Sequence, residues 1–382
     1  MMKSITSMMI IFLLLTGCMN ANEIERMYYV HGVGLDYVDE KYEVHIQVMN
    51  FHTMAKEMQS TFEEAETIVA KGVGPTPVMA IHDIYQSTPQ RIYWGHLSAL
   101  VFTEAALNTG MTELLDDFLR FNEIRYTPWI FSTKSNIDDL LTVFPFLDAS
   151  PVLGTFGNPE DGYSQSSFVA PKRKHRFILE LNEPGKSANI PNLTVEDRWH
   201  SDKERHPVIN VSGVSSLFGE EYRGTLEGKD MYGLRWLQED TERTPVNISK
   251  NDEAVAVIMM KKPDHKITPK IENGEVSFTI EVDVSGGILE MHQQESLDFI
   301  EKEVTKTIEN EIRTTYEQGL ENNADIYHLS NELFKKDPEA WHELTEEEEL
   351  SLTKETLKDI NVQAEVIHSG KNRHIPILTE TE

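Results

Sequence analysis

The residues that could do chemistry in this sequence are histidines and carboxylates, and four groups have a spacing that invites a test. His200, Asp202, Glu204 and His206 alternate along one stretch, a pattern that can present metal ligands; in so charged a run a solvated loop is the preferred reading. Asp116-Asp117 and Asp138-Asp139 are adjacent pairs. Adjacent residues on a helix do not share a face, so paired-carboxylate chemistry is disfavoured. Glu346 to Glu349 precede Leu350 and Leu352 and read as the first turn of a helix, complementing its dipole. His342-Glu343 lacks the second histidine of a zinc-protease helix. Gly32-Val33-Gly34 and Gly72-Val73-Gly74 lack the third glycine of a dinucleotide loop. No Gly-x-Ser-x-Gly elbow, Walker loop or EF-hand loop occurs. No catalytic residue, cofactor site or metal site is expected.

Cys18 is the exception. It is the only cysteine, which excludes a disulfide framework and a cysteine-based zinc site. It follows Lys3, the apolar run Met8–Leu15, and Thr16-Gly17. That run is shorter than the roughly 20 apolar residues a bilayer span requires, and it suits the core of a signal peptide. Leu15-Thr16-Gly17-Cys18 resembles a bacterial lipobox. The resemblance implies cleavage after residue 17 and a diacylglycerol on the Cys18 thiol. The net charge of −29 argues against nucleic acid, which needs a dense basic face, and against electrostatic docking on anionic lipid. Attachment to a membrane would therefore come from acyl chains, two of which suffice for stable anchoring. Asn192, Asn210 and Asn247 head glycosylation-type triplets, which a bacterial lipoprotein would not use.

The elements that must position these residues are mixed. Tyr28–Asp36 and Lys41–Met49 read as a hairpin about Asp39-Glu40. Phe62–Lys71 has helical spacing with Gly72 as its stop, and Thr76-Pro77 opens a second helix. Ile92–Phe102 and Tyr126–Phe131 read as strands, Thr103–Asn108 and Thr112–Arg120 as helices, and Ser135 as the cap of Ile137–Phe144. Ala149–Pro207 is proline-rich, with a strand expected at Arg176–Glu180. Val208–Leu217, Ala254–Lys261, Lys266–Ile271 and Val276–Val284 read as strands, Gly228–Leu237 as a helix or turn, and Asn273-Gly274 as a type I′ hairpin turn. Leu297, Ile300, Val304, Ile308, Ile312 and Tyr316 form one stripe of a long helix, read as core. Ser330–Lys336 and Glu346–Leu357 read as further helices, and Val362–Ile367 as a last strand.

The expected fold is α+β in three consecutive mixed domains, the middle one β-rich and the last with the long amphipathic helix. The expected limits are a signal segment 1–17, an N-terminal α+β domain 18–195, a β-rich domain 196–285, a C-terminal α+β domain 286–370 and a tail 371–382.

Gly95-His96-Leu97 through Leu100-Val101-Phe102, then Glu104-Ala105-Ala106, Gly110, Leu114-Leu115-Asp116 and Arg120-Phe121-Asn122-Glu123, resemble the Ger(x)C family, the lipoprotein C subunits of spore germinant receptors. Val30–Asp36, Val211–Phe218, Gly228 through Gly233-Leu234-Arg235-Trp236-Leu237, Asn323–Tyr327, Pro338–Trp341 and Gly370 continue the resemblance in order. Phe121 and the pair Tyr327-His328 depart from the family pattern, and the segment past Gly370 is an addition. The resemblance implies a non-enzymatic protein, lipid-anchored at Cys18 on the outer face of the spore inner membrane. It implies a complex with a membrane A subunit and a transporter-like B subunit that senses nutrients and triggers germination. Gly213, Gly224, Gly228 and Gly233 are read as serving turns and close approach before any ligand. Whether this subunit itself binds a small molecule is left open.

Two other classes share the lipobox. A solute-binding lipoprotein of a nutrient importer predicts two βαβ-wound lobes around a cleft, whereas the middle third here is β-rich. A lipid-anchored hydrolase needs a nucleophile or metal constellation, and none is found.

Overall fold

The computed structural model describes residues 27–49, 67–143, 151–202, 205–346 and 348–367. Cys18, the signal segment, the first half of the helix expected over Phe62–Lys71, and everything past 367 lie outside the described residues.

The fold is α+β and is built on two sheets. The first contains β1 (Met27–Val38), β2 (Lys41–Met49), β3 (Ile68–Gly74), β4 (Arg91–Tyr93), β5 (Ala99–Thr103), β6 (Trp129–Thr133), β7 (Lys172–Arg173), β8 (Ser187–His200), β9 (Arg205–Phe218) and β10 (Glu221–Glu227). Its order is β10-β9-β8-β6-β5-β1-β2-β3, with β4 beside β1 and β7 beside β6. The centre, β1-β5-β6-β8, is parallel, and the two ends are antiparallel. β5 and β6 are buried along their whole length, as parallel strands covered on both faces must be.

One face carries α1 (Pro77–Ser87), α2 (Glu104–Leu107), α3 (Met111–Arg120) and, after the turn of α4 (Ile137–Thr142) and α5 (Pro159–Gln165), α6 (Lys174–Leu181). Ile81, Leu107, Leu114, Phe118 and Phe177 pack there against Leu100 and Phe102. On the other face Ile137, Leu140 and Leu141 of α4 pack with Val101, Phe131, Phe156 and Leu193.

The second sheet is β11 (Thr244–Lys250), β12 (Glu253–Glu272), β13 (Glu275–Met291) and, after α7 (Leu297–Glu321), α8 (Leu329–Lys336), α9 (Pro338–Leu344) and the small ladder β14 (Thr345–Glu346) and β15 (Glu349–Leu350), the closing strand β16 (Leu357–Ile367). Its order is β11-β12-β13-β16. The stripe Ile300, Val304, Ile308, Ile312 and Tyr316 of α7 is fully buried in one core with Ile280, Val282 and Val366. Asn273 and Gly274 have φ of 55° and 84°, the two left-handed positions a type I′ turn needs. Asp39 and Glu40, at 49° and 60°, do the same between β1 and β2.

Several local expectations give way. Residues 68–71 belong to β3, paired with β2, and not to a helix. Gly72 is no helix stop: a Cβ there would lie 2.0 Å from the Ala80 carbonyl oxygen, so glycine lets α1 lie on the sheet. Residues 176–180 are helical: Lys174 and Phe177 share a buried face while Leu179 is exposed. Asn136, not Ser135, caps α4, accepting from the Asp138 and Asp139 amides. In place of the helix expected from Glu346, Glu349-Leu350 pairs with Thr345-Glu346 in the β14–β15 ladder and residues 354–356 form a turn. The two strands expected across residues 254–271 are one, β12, kinked by a bulge between Lys261 and Asp264. Residues 195 and 285, the expected domain limits, fall inside β8 and β13. Two βαβ-wound lobes, which the solute-binding alternative requires, are not the arrangement of the described residues.

Candidate functional site at the seam between the sheets

The two sheets meet where the 3-10 segment Gly228–Trp236 leaves β10 and crosses α7. The contact is close because residue 233 is glycine. A Cβ there would sit 2.3 Å from the Tyr327 hydroxyl and 2.6 Å from the Glu311 carbonyl oxygen. Its amide instead donates to the Thr315 hydroxyl at 2.9 Å. Two residues on, the Arg235 side chain is 3% exposed. Its Nη2 donates to both Glu311 carboxylate oxygens at 2.7 and 2.9 Å. Trp236 Nε1 donates to the same carboxylate at 2.7 Å. The guanidinium carbon lies about 5 Å from the rings of Phe168, Tyr232 and Trp236, within cation–π range. Arginine suits this joint because its planar fork matches a carboxylate and does not lose its charge.

Phe168 and Tyr232 also line an open cleft of about 1010 Å³ between the segment 153–171 and the middle of β8 and β9. Its polar wall is internally tied. Buried Asn192 accepts from Ser132 and donates to Ser212, each at 3.2 Å, and Lys134 lies 3.3 Å from Glu227.

Farther along the seam, the start of β8 faces the turn between α7 and α8. Asn189 donates to the Ile326 carbonyl oxygen at 3.0 Å, and Asn331 to that of Pro184 at 2.9 Å. Asp325 accepts the Leu329 and Ser330 amides at 2.9 and 2.8 Å and so caps α8. Burial pushes its carboxyl up to about 6, against the pull of those amides. Next to it His328 takes φ 59° and, being buried, has its imidazole pKa pushed well down. At Gly224, φ is 140° and a Cβ would lie 2.7 Å from Asn322, so glycine permits this crossing as well.

The residues singled out for chemistry do not converge. His200 and His206 lie across the β8–β9 ladder, partnered with Arg205 and Trp199; Glu204 lies outside the described residues. Among the described residues no group of three His, Cys, Asp or Glu could hold a metal ion. Asp116 pairs with Arg120 at 2.7 Å, Asp138 with His45 at 2.7 Å, and Glu349 with Arg223 at 2.9 Å. Sequence reasoning did not find Arg235, Glu311, Ser187 or Arg223. The only signal was the run Gly233–Trp236, noted as a motif without a partner.

A family profile described as "Spore germination protein N-terminal domain" matches residues 20–195, and one described as "Spore germination B3/ GerAC like, C-terminal" matches residues 213–370. The chain belongs to the Ger(x)C family. Among Ger(x)C relatives, spore germination protein KC of Bacillus subtilis (strain 168) is 21% identical over 394 residues, spanning 95% of this chain and 94% of that protein. Spore germination protein B3 of the same organism is 23% identical over 343 residues, spanning 87% and 85%. The crystal structure of the GerBC protein superposes with a TM-score of 0.54 at 19% identity, covering 90% of this chain and 100% of that one. At that identity the match speaks to the fold. The Ger(x)C profiles leave out 196–212, the outer half of the β8–β9 hairpin with its exposed Trp199. No helix among the described residues is long and apolar enough to cross a membrane.

Proposed function

We propose that the chain is the non-enzymatic C subunit of a nutrient germinant receptor. It is held by acylated Cys18 on the outer face of the spore inner membrane and acts in complex with membrane A and B subunits to trigger germination. The observation that carries this reading is a full-length relationship to spore germination proteins behind an N-terminal lipobox-like Leu15–Cys18. The Arg235–Glu311 pair, closed by Trp236 Nε1, supports a structural role for the polar residues of that joint. The acidic body, of net charge −29, is repelled by anionic lipid, which leaves attachment to the acyl chains.

The test is an immunoblot of membranes from growing cells and of inner membranes from dormant spores, wild type beside Cys18→Ala. The expected result is signal confined to the spore inner membrane and lost or solubilised in the variant. Abundant signal in growing-cell membranes would instead favour an importer lipoprotein.

A further inference from the structure

The edge of the first sheet at which β1 begins is basic and aromatic, in a chain of net charge −29. β1, β5 and β6 run parallel with Gly32, Ala99 and Trp129 at one level, so the residues just before them share that edge. Met27 pairs there with Arg91. Arg173 lies opposite Trp129 on β7, its guanidinium carbon 3.3 Å from the centre of the Trp129 ring. Its Nη1 donates to the Thr127 carbonyl oxygen at 2.9 Å. The neighbouring Tyr126 carbonyl oxygen accepts the His175 amide at 3.2 Å. Arg125 and Arg176 are exposed, and so are two large apolar side chains, Tyr126 at 60% and Leu179 at 59%. Arg176 and Leu179, three residues apart, share the exposed face of α6.

The fold does not answer these charges. Arg91 is held by Glu123 at 2.7 Å, and Lys172 pairs with Glu180. Arg125, Arg173 and Arg176 have no carboxylate within ion-pair distance among the described residues, Glu160 acting on Arg173 only from farther off. Helix α6 starts among them with Lys174, His175 and Arg176, with no acidic residue in its first turn and no side chain capping it. Cations at the positive end of a helix dipole are unfavourable, and an anion outside them reverses that. Packing accounts for buried Lys174 and for Arg173 on its tryptophan, but not for exposed Arg125 and Arg176.

The tether decides which anion. Residues 19–26 separate Cys18 from β1, and so short a segment reaches no farther than about 30 Å. The tip of the β8–β9 hairpin lies at the opposite end: Asn192 and Leu193 of β8 are level with Ser132 and Thr133 of β6, and β8 runs on to His200. The 14 residues of β8 span about 46 Å, more than the tether can cover, so the chain cannot stand on that tip. We propose that the edge bearing Arg125, Tyr126, Arg173, Arg176 and Leu179 is seated on the membrane, its arginines on the phosphates of anionic phospholipids and its two apolar side chains at the headgroup boundary. The inference rests on the proposed anchor at Cys18: acyl chains hold the chain, and this patch sets which end faces the bilayer. The net charge does not oppose it, because at physiological ionic strength exposed charges more than about 8 Å away are largely screened. Tyrosine is suited to this boundary by its apolar ring and polar tip.

The test couples the mature chain through its single thiol, Cys18, to a maleimide lipid in vesicles, so that the tether does not depend on acylation in cells. A photo-crosslinking aromatic residue in place of Tyr126 reads contact with lipid, and the same residue in place of Trp199, by the hairpin tip, is the control. In vesicles of phosphatidylglycerol and phosphatidylcholine, Tyr126 should give about tenfold more lipid adduct than Trp199, because the surface potential falls off within a Debye length. Phosphatidylcholine alone, or the double change Arg125→Glu with Arg176→Glu at exposed positions, should each lower the Tyr126 yield roughly fivefold or more, since each cation near an anionic surface adds to binding. Equal yields at the two positions, no adduct at either, or a Tyr126 yield indifferent to lipid charge and to the double change would each overturn the proposal. So would an adduct to another polypeptide in place of lipid when the same residue stands at Tyr126 in the full chain in cells. Failure of the vesicle test leaves acylation of Cys18 untouched, since that is read by the Cys18→Ala immunoblot, and failure of the immunoblot leaves the vesicle result standing.

Discussion

Two polar contacts hold the sheets together, and they are built on opposite principles. At the Arg235 joint donors meet acceptors: the guanidinium grips Glu311 through Nε and Nη2, Trp236 adds a further bond to that carboxylate, and aromatic rings close around the cation. At the Ser187–Asp325 crossing, donors and acceptors are left over beside a cavity. Both rest on glycines: Gly233 lets backbones touch at the first, and Gly224 makes room for the Asn322 side chain at the second. A closed contact has nothing left to offer a partner. The second leaves Ser187 Oγ and Asn189 Oδ1 buried without a partner among the described residues.

The largest effect that would break this contrast is expected at the closed joint. Glu311→Ala leaves Arg235 charged and buried without its carboxylate, which typically costs about 3–5 kcal/mol. Urea unfolding followed by tryptophan fluorescence reads it. The paired change Arg235→Met with Glu311→Leu should cost far less, since a buried pair exchanged for apolar side chains is often neutral. If the single and paired changes destabilised equally, the joint would owe its strength to shape and not to charge.

A smaller loss, about 1–3 kcal/mol, is expected for Gly233→Ala, the range for overpacking a tight contact. The new methyl would collide with the Tyr327 hydroxyl and the α7 backbone. Gly162→Ala is the control: its Cβ would meet nothing within 4 Å and it lies in α5, so the change should be neutral or slightly stabilising. Equal losses at the two positions would remove close approach as the reason for glycine at 233.

What the sequence discloses about these contacts follows from the range over which its signals act. The Asn273-Gly274 turn and the Ile300–Tyr316 stripe are local patterns, and both are where the residues predict. The glycines of the central motif were legible as spacers for the same reason. β3 was not, because its burial alternates poorly and Gly72 mimics a helix stop. α6 was not, because Phe177-Ile178-Leu179 reads as a strand until Lys174 is known to share the face of Phe177. Arg235 and Glu311 are 76 residues apart in sequence, and Ser187 becomes notable only when its hydroxyl proves to lack a partner. Charge pairing and unmet hydrogen bonds are properties of the folded chain, so no spacing rule announces them.

The smallest effect expected sharpens the contrast from outside the seam. Among the described residues Lys174 is a second buried cation. It has no carboxylate: its Nζ donates to the Phe118 carbonyl oxygen at 3.0 Å, in the last turns of α3, and lies 5.0 Å from the Tyr126 ring. Burial lowers its pKa to about 8. Lysine can answer burial by shedding its proton, whereas arginine cannot, which is why the residue at the joint needs Glu311 and this one needs only a helix end. Between about 8 and the unfolded value of about 10.4, the unfolded chain binds more protons than the native one. Stability contributed at this site therefore rises with pH through that window and is lowest below it. Lys174→Met keeps the apolar stem and removes the proton. At neutral pH the variant loses the contact with the helix end, about 0.3–1 kcal/mol, and is relieved of the desolvation that lowers the lysine pKa, so no net loss of stability is expected. The rise in stability between pH 8 and 10 seen in the wild type should be reduced in the variant. An unchanged rise would assign it to other groups, and a loss as large as that of Glu311→Ala would mean that the two buried cations are held alike after all.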